Sequence, residues 1–145
     1  MSTQIAKRFS SGIVPIYKSD HEILFLLLRS YNYWDFPKGE VEKNEDPFIA
    51  ARRELQEETG IDKVQFHFGE IYKETPPYSQ GKIARYYIGE VKTKNVTLGV
   101  NEELGRPEHQ EYRWVNYKDA KLLLGDRVAA ILEWAYSIEK NSASR

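Results

Sequence analysis

The sequence contains no cysteine, which removes disulfides, zinc–thiolate sites and thiol nucleophiles together. It carries almost no net charge, since 21 Lys+Arg stand against 22 Asp+Glu and leave a sum of −1. That balance excludes a chain that is basic overall and grips nucleic acid by bulk electrostatics. Long apolar runs are also missing. The longest, Ile23–Leu28, falls far short of the ~20 residues that cross a bilayer. Residues Met1–Ser10 hold no apolar stretch of the kind a secretory leader needs. A cytoplasmic protein with no membrane partner is the expectation. No repeat, low-complexity tract or Pro/Gly/Ser-rich linker divides the chain. One domain over residues 1–145 is therefore expected, with only 141–145 frayed. What the chain does have is a globular composition, 41% hydrophobic and 13% aromatic in 145 residues. That is enough to fold without covalent staples and unlike an acidic disordered chain.

Two runs rich in Ile, Val, Leu and Phe, Phe9–Tyr17 and Glu22–Arg29, read as strands joined through the turn residues of Lys18–His21. Trp34–Gly39 reads as a short strand that enters a loop at Pro37 and Gly39. A helix is predicted over Pro47–Thr59, with Asp46 as N-cap, proline at its first position and Gly60 as its left-handed stop. Phe48, Ala51 and Leu55 form its inward stripe. Strands are expected at Val64–Thr75, Lys82–Val91 and Tyr112–Val115, and a short helix at Tyr117–Leu124. A last helix from Arg127 to Lys140, capped by Asp126, turns Val128, Ile131, Leu132, Ala135 and Ile138 inward. Strands with two amphipathic helices suggest an α+β sandwich with a mixed sheet covered on both faces.

The helix at 47–59 places Glu54, Glu57 and Glu58 on one face, away from its apolar stripe. Like charges at that spacing cost a few tenths of a kcal/mol per pair. On a lone helix such a cluster usually marks only a solvated face. Its surroundings say more: Gly39-x5-Glu45-x7-Arg53-Glu54-Leu55-x-Glu57-Glu58-x-Gly60-Ile61. At about 6% usage per fixed residue, chance gives this pattern in fewer than about one in ten million chains of this length. It resembles the Nudix signature at every fixed position. Three neighbouring carboxylates suit a hard divalent cation, Mg²⁺ or Mn²⁺. Gly39 lets its carbonyl approach that ion, and Arg53 can pair with Glu45 to hold the loop on the helix. The resemblance implies a Nudix-type α/β/α sandwich and hydrolysis of a nucleoside diphosphate linked to another group. It also implies Glu54 and Glu58 as principal metal ligands and Glu57 as a ligand or the base for water.

Outside that motif, Ser11–Pro15, Phe25–Leu28, Phe36–Gly39 and Glu108–Val115 resemble the diadenosine tetraphosphate hydrolase branch of the family. The resemblance implies asymmetric cleavage to ATP and AMP, with Glu108 as a further metal ligand or base. Glu102, Glu103 and Glu111 compete for that role. Lys38 precedes the metal-binding loop, where its ammonium can meet phosphate. Lys73, Lys82 and Arg85 flank a loop bearing Tyr78 and form a candidate polyphosphate clamp. Tyr86 is the expected aromatic face for adenine, a contact worth about 1–3 kcal/mol per base, and His109 is expected to orient phosphate. In this branch His commonly follows the Lys-Gly pair, whereas this chain has Glu40. Alternatives are an RNA 5′-pyrophosphohydrolase, a diphosphoinositol polyphosphate hydrolase, or a nucleotide-binding sensor of the same fold without catalysis. The intact glutamate set argues against the sensor. The expected partner is a small nucleotide rather than a long nucleic acid.

Overall fold

The computed structural model describes residues 8–143. The N-terminal stretch through Lys7 and the last two positions of the tail expected to fray lie outside the described residues. Nine strands and three helices follow one another along the described chain. β1 (Phe9–Lys18) and β2 (Ile23–Ser30) form the expected hairpin, with Ile16 opposite Phe25. β3 (Tyr33–Asp35) and β4 (Lys38–Glu40) come next, then α1 (Pro47–Thr59). β5 (Tyr72–Glu74), β6 (Ile83–Glu90), the small pair β7 (Val100–Asn101) and β8 (Arg106–Pro107), and β9 (Glu111–Val115) complete the strands. The chain closes with α2 (Tyr117–Leu123) and α3 (Asp126–Ala143). The sheet is mixed because β1 and β6 run parallel while its other pairings are antiparallel.

Alternation along the strands sorts the core into two layers. Ile13, Leu26, Leu28 and Tyr87 face α1 and meet Ala51 and Leu55. Val14, Phe25, Leu27, Tyr86 and Ile88 face the opposite way, onto Val128, Ile131, Leu132 and Ala135 of α3. The predicted α/β/α sandwich is thus the observed one.

β1 and β2 do not stay paired along their length. They separate beyond Phe25 and Ile16, and residues 33–40 enter the gap. β3 pairs with Leu28–Ser30 of β2, and β4 then pairs with Ser10–Gly12 of β1. The Ile13 amide also donates to the Pro37 carbonyl at 3.1 Å. A Cβ on Gly12 would lie 2.3 Å from that carbonyl oxygen, so glycine is needed for the two backbones to meet. This wedge, read from the sequence as a strand running into a loop, carries Lys38 and Gly39 to the mouth of the sandwich.

Three expectations need correction. Val64–Thr75 is not one strand. Gln65 makes an isolated bridge to Glu90, Gly69 turns the chain at φ 68°, and only Tyr72–Glu74 pairs with β6. Asp126 is the first residue of α3 rather than its cap, and the Gly125 carbonyl accepts from the Val128 and Ala129 amides. The helix also continues through residues 141–143, which were expected to fray.

Candidate active site

Asp46 caps α1 as expected, its Oδ2 accepting from the Phe48 and Ile49 amides at 3.0 and 3.2 Å. Gly60 ends the helix at φ 79°. Between these stops, α1 offers its glutamates to the wedge. Gly39 packs so closely that a Cβ there would sit 2.1 Å from the Glu54 carboxyl carbon. The Lys38 amide donates to Glu58 Oε1 at 3.2 Å. Arg53 ties loop to helix: Nε and Nη2 donate to the two oxygens of Glu45 at 2.8 and 3.0 Å. Its Nη1 donates to Glu54 and Glu57, at 2.9 and 2.8 Å, and Nη2 also reaches the Glu40 carbonyl. This bidentate pairing holds the Glu45 carboxyl down to about 2, helped by the Glu42 amide.

Glu108 and His109, far along the chain after β8, close the site from the other side. Ligand atoms of Glu58, Glu108 and His109 all lie within 4.8 Å of one another. One cation can reach all three, and Glu54 is the next carboxylate in line. Burial drives the Glu58 carboxyl well above its ordinary range, and repulsion from Glu54 and Glu108 adds to the shift. Glu54 is raised mainly by burial, with Arg53 opposing. Carboxylates crowded until they resist ionisation are a donor set that a divalent cation would relieve. Burial lowers His109 and favours a neutral imidazole with a free lone pair. The sequence hid this approach of His109 to a carboxylate pair, because Glu58 and Glu108 meet only through the fold.

The cleft above these groups is lined by Lys38, Gly39, Glu54, Glu57, Glu58, Tyr78, Lys82, Glu102, Glu103, Glu108 and His109. Ser10 and Asn101, which no motif marked, line it as well. Lys82 and Tyr78 are locked together by paired backbone hydrogen bonds of 2.7 and 2.9 Å. One face of the Tyr78 ring is covered by the Arg127 guanidinium, 3.8 Å from the ring centre. That face is therefore closed to a base, and the ring also packs against the core. Glu111 drops out as a rival to Glu108, since Arg29 and Arg113 engage its two oxygens at 3.0 and 2.8 Å.

Three members of the expected substrate set lie elsewhere. Tyr86 is fully buried, edge-on to Phe36, so it presents no face to a nucleobase. Lys73 pairs in register with Tyr86 on β5, is exposed, and does not line the cleft. Arg85 points to the α1 side of the sheet, held by Glu74 at 2.8 Å and by the Tyr72 ring at 3.8 Å. Alternation along β6 placed Tyr86 and Tyr87 on opposite faces, but both faces of this sheet are covered.

A mixed sheet between helices, with a glycine pressed onto an acidic helix at its mouth, defines an α/β/α protein whose cleft holds a candidate metal-binding group of Glu58, Glu108 and His109. The chain belongs to the Nudix family, and the NUDIX domain profile matches residues 6–135. It is 33% identical over 119 residues to the asymmetrical bis(5′-nucleosyl)-tetraphosphatase of Mus musculus, covering 77% of this chain and 76% of that protein. It is 35% identical over 98 residues to the RNA pyrophosphohydrolase of Nitratiruptor sp., covering 59% and 60%. Among solved structures, a C. elegans Ap4A hydrolase binary complex superposes with a TM-score of 0.78 at 25% identity, covering 93% and 98% of the two chains.

Proposed function

We propose that the protein is a cytoplasmic, divalent-metal-dependent hydrolase that cleaves diadenosine tetraphosphate to ATP and AMP. The observation that carries this reading is one cleft holding both charges the reaction needs. Glu54, Glu58 and Glu108 form its acidic wall, with Lys38 and Lys82 beside them. The relatives named for tetraphosphatase activity match more of the chain than those named for RNA pyrophosphohydrolysis. Among the described residues no helix is long and apolar enough to cross a membrane.

Glu54, Glu58 and Glu108, with the Gly39 carbonyl, would hold Mg²⁺ or Mn²⁺. When bound, the cation neutralises phosphate charge and lowers the pKa of water. Arg53 keeps the loop and Glu57 in register with the helix. Glu57 or Glu108 accepts the proton of the attacking water. The water oxygen bonds to phosphorus, the P–O–P bond breaks, and the leaving phosphate oxygen departs with the electron pair. Lys38 and Lys82 hold the remaining phosphates, His109 orients one of them, and Tyr78, which lines the cleft, receives a base. Chromatography of products from diadenosine tetraphosphate, beside triphosphorylated RNA, tests the reading. ATP and AMP in equal amounts are expected, and orthophosphate or pyrophosphate from RNA alone would replace this substrate with the second one.

A further inference from the structure

Tyr86, removed from base stacking by its burial, makes a contact that leads back to the cleft. Its phenol donates to Asp35 Oδ1 at 2.8 Å, and the Phe36 amide donates to the same oxygen at 2.7 Å. The other oxygen, Oδ2, faces the Lys38 ammonium at 3.3 Å. Both side chains of that ion pair are mostly shielded, Asp35 at 18% exposure and Lys38 at 24%. The carboxylate is thus fixed from behind through one oxygen and presents the other to the lysine.

We propose that Tyr86 and Asp35 form a brace that positions the Lys38 ammonium for phosphate. Lysine needs such a device here because its ammonium is a point charge on a flexible stem. Two carboxylates lie within its reach, and their consequences differ. Glu58, whose Oε1 already accepts from the Lys38 amide, belongs to the acidic cluster. An ammonium folded onto Glu58 would occupy a ligand oxygen and leave the phosphate path. The ammonium instead pairs with Asp35, and Tyr86 holds Asp35. The phenol can do so reliably because its ring is locked against Phe36, with centroids 5.9 Å apart. Tyr86 and Asp35 touch no substrate, and both are positioning residues.

The inference rests on the reading that Lys38 meets a phosphate, so the test uses two readouts. The first is the affinity of inorganic tripolyphosphate with Mg²⁺, measured by titration calorimetry, which does not depend on the natural substrate. The variants are Asp35→Asn, Tyr86→Phe, Lys38→Met and the two doubles with Lys38→Met. Asp35→Asn keeps an acceptor for Tyr86 and Phe36 but removes the charge facing Lys38, and Tyr86→Phe keeps the ring packing. The expected result is about tenfold weaker binding for Asp35→Asn and about threefold for Tyr86→Phe, with less than about twofold effect of either in the Lys38→Met background. The second readout is kinetics on diadenosine tetraphosphate, where the loss falls in KM and kcat stays within about twofold. Equal losses with and without Lys38 overturn the brace, as does a loss confined to kcat. Unchanged tripolyphosphate affinity in Lys38→Met overturns it too, since no phosphate contact is then left to position. If the unmodified chain releases no ATP and AMP, the substrate assignment fails while the tripolyphosphate cycle still decides the brace.

Discussion

A methyl group is the smallest side chain that can be added at Gly39, and the site has no room for it. With the Glu54 carboxyl carbon 2.1 Å from the new atom, either the carboxylate or the wedge must move. Misplacement by about 1 Å near reacting groups can cost about 100-fold. Gly39→Ala is therefore expected to lower kcat by about that factor while circular dichroism stays native. Near-normal turnover would show that the contact does not matter. Glu58→Gln keeps shape and removes charge, and it should cut kcat by orders of magnitude with the fold intact. Full activity there would move the cation site off Glu58. These glutamates were legible in the sequence because helix periodicity and an unusually specific spacing both select them. Tyr86 was not, because strand alternation separates two faces without telling which neighbour fills each. Asp35 carried no signal at all, since its partners Tyr86 and Lys38 converge on it only through the wedge.

At the scale of elements, α1 is the piece on which the site depends, and its ends were readable from local chemistry. Asp46, Pro47 and Gly60 act within a few residues of themselves, so their roles needed no tertiary information. Removing the cap with Asp46→Ala is expected to cost about 1 kcal/mol. In a domain of this size that lowers the melting temperature by about 3 °C. An unchanged melting curve would mean that α1 is held by packing alone. The segment after α1 was less legible. Its β-branched and aromatic residues suggested a continuous strand, yet Phe66 is spent against Phe48 at 4.7 Å between centroids and Gly69 reverses the chain. The pair β7–β8 was missed as well, since two-residue strands have no periodicity to detect.

For the molecule as a whole, the acidic cluster and the Arg53 hub pull stability in opposite directions with pH. Glu54 and Glu58 bind protons more tightly folded than unfolded. Their contribution is complete below the ordinary value of 4.5 and fades as pH rises through the raised folded values. Glu45 behaves conversely: held at about 2, it contributes above 4.5 and loses that contribution as pH falls between the two. In the metal-free protein Glu54 and Glu58 should therefore cost stability as pH rises through their raised folded values, while Glu45 costs stability as pH falls from 4.5 toward about 2. Mn²⁺ or Mg²⁺ at about 100 times its Kd should add about 2.7 kcal/mol at neutral pH and far less in acid. Thermal melts across pH, with and without chelator, check this, and a metal effect independent of pH would refute it. The net charge of −1 conceals this opposition, which depends on which charges the fold brings together.

The wedge between β1 and β2 joins the loop that leads into α1 to the rigidity of the sheet. Ser10–Gly12 on one strand and Leu28–Ser30 on the other take those edge pairings from residues 33–40 rather than from each other. Prying that segment loose therefore frees both strand edges at once, and the loop cannot open while the sheet stays shut. Occupancy of the cleft should accordingly be recorded in the protein's interior: amides along β1 and β2 near the gap would exchange with solvent more slowly once nucleotide and cation are bound. β2, none of whose residues lines the cleft, would then report the ligand's arrival and departure.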